Sequence, residues 1–116
     1  MTAAEIIHTV IATLDEARAA LVAARDSGVA AELTSPPDAA LTYGVLWFAE
    51  LNRLLQAEFG EGFTLTLDCG ERADLAHAAL VEGIKRIKFR GHPDAASALR
   101  DIASQLDATV LIAELS

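Results

Sequence analysis

At 116 residues the chain fits one domain, residues 1–116, and a domain of this size buries about two-thirds of its unfolded surface without needing a covalent staple. Its one cysteine, Cys69, excludes an internal disulfide and any zinc cluster built from cysteines, and it favours a reducing, cytoplasmic setting. A net charge of −8 repels phosphate backbones, so neither nucleic acid nor an anionic membrane surface is an expected partner; no apolar run has the length of a membrane span, and no basic, cleavable leader opens the chain.

Residues 6–11, Ile-Ile-His-Thr-Val-Ile, are dense in β-branched side chains and predict a strand. Thr13 with Glu16 three residues on is a capping-box pattern, so a helix is expected from there to about Ser27, stopped by Gly28. A second reading makes residues 3–26 one long helix, with Thr2 and Glu5 as the box. Residues 29–33 are the second expected strand. Thr34-Ser35-Pro36-Pro37-Asp38 then breaks any regular element. A helix is expected over residues 41–59, with Trp47, Phe48, Leu51, Leu54 and Leu55 on one face, and Gly60 and Gly62 end it. A strand over 63–69, a helix over 72–82 and a strand over 85–90 follow. Pro93 suits the first position of the next helix and Asp94 its first turn, with Ala95, Leu99, Ile102 and Leu106 as the buried face. Residues 109–115 are the last expected strand.

Short strands alternating with longer helices argue for βαβ units and a parallel sheet. The expected fold is α/β: a flavodoxin-like, three-layer parallel sheet of five strands in the order 2-1-3-4-5, with four helices and the final helix missing. Right-handed crossovers would set the last three of these helices on one face and the first on the other.

A missing helix leaves part of one face open, and strands there should alternate in polarity. Phe63, Leu65, Leu67 and Cys69 alternate with Thr64, Thr66 and Asp68. Ile87 and Phe89 alternate with Arg86, Lys88 and Arg90. If these strands are neighbours, their polar residues form one patch. The last strand differs, because Val110-Leu111-Ile112-Ala113 is apolar on both faces. Exposed edge strands are usually covered, so a homodimer through the last strand or the open face is expected. The plainer alternative is a monomer with a small apolar patch.

Ligands of open α/β sheets bind beyond the carboxyl ends of the strands. The first βα turn has no glycine, and neither GxGxxG nor GxxxxGK[ST] occurs, so no nucleotide or flavin cofactor is expected. His8, His77 and His92 have no metal-type spacing, and no metal is expected. Asp68 ends the third strand, as the phosphorylated aspartate does in receiver domains. That likeness lacks the acidic pair, the Ser or Thr and the Lys of such a site, so it concerns the fold alone.

Cys69 and His92 are the candidate catalytic pair, a thiol before a helix and an imidazole at the next strand end. Alternation also places Cys69 on the apolar face, where a free cysteine is an inert core residue. Ser35, Tyr43, Asp68, Arg72 and Arg90 are the candidate ligand-binding residues. The stiff Ser35–Asp38 loop, with Tyr43 and Trp47, could wall a pocket, unless Trp47 is core. The leading functional expectation is a non-catalytic, cytoplasmic, self-associating protein that binds a protein partner or a small ligand at the strand carboxyl edge. The alternative is a small enzyme with a Cys69/His92 pocket acting on a polar metabolite.

Overall fold

A computed structural model describes residues 6–112. Strand β1 (Ile6–Val10) leads into helix α1 (Leu14–Ser27), so the strand-plus-helix reading of this region holds; residues 3–5 of the long-helix alternative lie outside the described residues. Thr13 caps α1 as its sequence implies: its hydroxyl accepts from the Glu16 N–H, and the Glu16 carboxylate accepts from the Thr13 N–H. Gly28 closes the helix in the left-handed conformation. Strand β2 (Ala30–Thr34) starts one residue later than expected.

The helix expected over 41–59 is split. A single turn, α2 (Ala39–Thr42), is followed by α3 (Val45–Phe59), because Gly44 between them has φ 97° and cannot continue a right-handed helix. The chain continues through β3 (Phe63–Asp68), α4 (Ala73–Val81), β4 (Arg86–Phe89), α5 (Pro93–Gln105) and β5 (Thr109–Ile112). There are thus five helical segments among the described residues, not four. Residues 113–115 of the last expected strand lie outside them.

All five strands are parallel, but their order is β1-β2-β3-β4-β5, not 2-1-3-4-5. β2, not β1, pairs with β3. The polarity of β1 gives a physical reason. A central strand of a three-layer sheet is apolar on both faces, whereas β1 carries His8 and Thr9 and has no fully buried residue. An edge tolerates that polarity.

The order changes the layering. Every crossover steps one strand in the same direction, so right-handed connections set the long helices on one face. Their packing agrees: α1 lies against α3, α3 against α4, and α4 against α5, with α2 tucked between α3, α4 and β3. Consecutive βα units of this kind also build closed eight-stranded barrels; here five strands leave β1 and β5 as edges.

The core lies between the helix row and one sheet face. Ala31, Leu33, Leu65, Leu67, Cys69, Ile87, Phe89 and Val110 supply the sheet side; Leu21, Phe48, Leu51, Leu55, Leu80 and Leu99 supply the helix side. Two expected helix faces are rotated. In α3, Phe48, Leu51 and Leu55 are buried, but Trp47 and Leu54 are 36% and 39% exposed. In α5, Ala96, Leu99 and Ala103 face inward, while Ala95 and Ile102 are only part-buried and Leu106, just past the helix, is exposed.

Candidate functional site

The carboxyl ends of β2, β3 and β4 meet through a polar clasp. The Ser35 N–H donates to the Thr66 carbonyl at 2.9 Å, extending the ladder by one residue past β2. Its hydroxyl donates to the Pro36 carbonyl at 3.1 Å and accepts the Asp68 N–H at 2.9 Å. Ser35 therefore fixes both the start of the proline loop and the end of β3.

Asp68 is buried, its side chain only 8% exposed, and its Oδ1 gathers three partners. The Gly70 N–H donates at 2.8 Å, the Asp38 N–H at 3.2 Å, and Arg90 Nη1 stands at 3.5 Å. Arg90 Nη2 donates to Asp38 Oδ1 at 2.7 Å, and this bond, ahead of the charges of Asp38 and Asp68, raises the guanidinium pKa. One arginine thus ties the loop after β2 to the end of β3. A buried carboxylate needs such donors, because an unpaired one pays a large desolvation penalty.

The backbone is shaped for this contact. Asp38 has φ 57°, a left-handed conformation that aspartate adopts more readily than most residues. Gly70 has φ 58°, and a Cβ there would run into Asp38 Oδ1. Gly70 is required twice over, by its own backbone and by the carboxylate beside it.

Of the sequence-derived ligand residues, Ser35, Asp68 and Arg90 are brought together. Asp38 joins them; the sequence placed it in the stiff loop over this edge but not among the candidate ligand-binding residues. Tyr43 and Arg72 stand apart: Tyr43 packs the edge of its ring on Phe48, and the exposed Arg72 forks onto Asp74 at 2.9 and 2.7 Å.

Cys69 lies on the helix side of β3, 2% exposed, with its thiol directed to the Leu67 carbonyl. Burial, and then the neighbouring Asp68 charge, push its pKa up to about 12, so at neutral pH the thiol keeps its proton. His92 is exposed at the N-cap of α5, where its Nδ1 accepts the Asp94 N–H at 3.0 Å. No hydrogen bond joins Cys69 to His92 among the described residues. No cluster of three or more His, Cys, Asp or Glu there could hold a metal ion, and no described helix is long and apolar enough to cross a membrane.

The second polar region is the sheet face on which no described helix packs, the helix-free face among the described residues. Strand register arranges it in rows: His8, Glu32 and Thr64; then Val10, Thr34, Thr66, Arg86 and Thr109; then Asp68, Lys88 and Leu111. The expected residues of β3 and β4 are therefore neighbours, but Thr66 and Asp68 are buried and Arg90 is taken up by the clasp, so Lys88 and the part-buried Arg86 and Thr64 are what these two strands leave at the surface. His8 Nδ1 lies 2.9 Å from Glu32 Oε2, and Arg86 Nε donates to Thr66 Oγ1 at 3.3 Å. Lys88 is exposed between Asp68 and Leu111.

No protein-family model matches this chain, and no curated protein matches it either.

Proposed function

We propose that this chain is a non-catalytic, cytoplasmic, self-associating protein whose helix-free sheet face meets its partner, with the carboxyl edge around Ser35, Asp38, Asp68 and Arg90 beside it. The observation that carries this reading is the helix-free sheet face, whose rows of charged and hydroxyl side chains are built like a surface that another molecule covers. The edge clasp adds a rigid rim to it. The enzymatic alternative depends on Cys69 as a nucleophile, and a thiol held protonated in the core, away from the exposed His92, argues against it.

Two measurements on the purified protein test the reading. Light scattering behind size exclusion should give twice the mass of one chain at micromolar concentration; a single-chain mass at every concentration overturns self-association. A disulfide reagent at neutral pH should label Cys69 only at the rate of unfolding and immediately in denaturant. Fast labelling of the folded protein would return the chain to the enzymes.

A further inference from the structure

Resting on the self-association proposed above, we infer that the helix-free face is covered by a second copy of this chain, stacked face to face about a two-fold axis that runs along β3. The chain carries a net charge of −8, so most of its surface repels a second copy. The open face is different, because away from the clasp it holds both signs on different strands. Its acidic residue away from the clasp, Glu32, lies on β2, and its basic residues, Arg86 and Lys88, lie on β4. Between them β3 contributes Thr64 and the buried Thr66, which are neutral, and the buried Asp68, which lies on the axis and whose charge Arg90 offsets within the clasp.

With the strands of the two sheets aligned, a two-fold axis lying between them runs either across the strands or along them. With the axis across the strands, each strand faces its own counterpart. Glu32 then meets the region of Glu32, and Arg86 that of Arg86, which sets like charges together. With the axis along β3, β2 faces β4 of the second copy and β1 faces β5. Glu32 then lies one row along the strand from Arg86 of the second copy. Rows are about 7 Å apart and stacked sheets about 10 Å apart, a diagonal that a glutamate and an arginine span between them. Symmetry makes the contact twice. The same axis turns the apolar edge residues to each other: Val10, 63% exposed, comes opposite Thr109 and beside Leu111 of the second copy. Charge selects this orientation, and the apolar edge residues are compatible with it.

The test is a charge exchange in the full chain. E32R puts basic residues on both sides of the contact, and R86E puts acidic residues on both sides. Each variant alone should weaken the homodimer by about tenfold or more. Mixed, the two should form a heterodimer about as tight as the wild-type dimer, read by native mass spectrometry, and raised salt should weaken it. Circular dichroism establishes that each variant is folded. If R86E does not fold, R86Q weakens the dimer in the same direction by less. A wild-type protein that is monomeric throughout sinks both this arrangement and the reading beneath it. A wild-type dimer that E32R and R86E leave unchanged keeps self-association and overturns this arrangement, placing the contact at a strand edge instead. Variants that weaken singly but do not recover on mixing overturn the choice of axis.

Discussion

The carboxyl edge and the helix-free face both combine hydroxyl, carboxylate and cationic groups, yet they hold them in opposite ways. At the edge, Ser35, Asp38, Asp68 and Arg90 satisfy one another around a carboxylate that is nearly inaccessible. On the face, among the described residues, side chains interact in pairs, His8 with Glu32 and Arg86 with the buried Thr66, and Lys88 remains exposed. The difference teaches where each region contributes. Buried, mutually satisfied polar groups fix one backbone arrangement, whereas exposed ones contribute little to stability and remain available for contact.

The comparison breaks most clearly at Gly70. Gly70→Ala forces a side chain into Asp38 Oδ1 at a left-handed φ, so the fold should lose about 3 kcal/mol in a urea melt. A loss below about 1 kcal/mol would mean that the clasp yields easily. Arg90→Ala comes next. Asp68 keeps its two N–H donors but loses its cation, and Asp38 loses its short bond; because that outer pair is part-exposed, the urea midpoint should fall, but by less than for Gly70→Ala. The smallest effect is expected on the face: Lys88→Ala should leave the midpoint within about 0.5 kcal/mol of wild type. A larger loss there would show that the face is structural after all.

Much of the local structure was legible in the sequence, because local structure follows from local chemistry. The Thr13–Glu16 box, Gly28 as a stop and Pro93 as the first residue of a helix each act within a single turn. The alternation of β3 and β4 is likewise a property of consecutive residues. Strand order was not legible, since alternation reports which face is polar and not which strand is next door. The polar His8 and Thr9 did mark β1 as an edge, and they weigh more than the general preference for a doubly wound order. The clasp was half legible. Position at a strand end picked out Ser35, Asp68 and Arg90, but the bond between Asp38 and Arg90 joins residues 52 apart, and no periodicity spans that distance. The candidate pair Cys69 and His92 is adjacent in the order of strand ends, yet the two side chains sit in opposite environments, one in the core and one in solvent.

The strand order also bears on how the molecule comes together. Each strand pairs only with the strands before and after it in the chain, so none has to be threaded between two already in place. The sheet can grow by accretion, one unit laid beside the last, and the contacts to be closed stay short for a parallel sheet. The longest excursion, residues 35–62, carries its own helices across the gap. A chain ordered this way has no keystone: a strand lost from either end leaves a new border, never a hole.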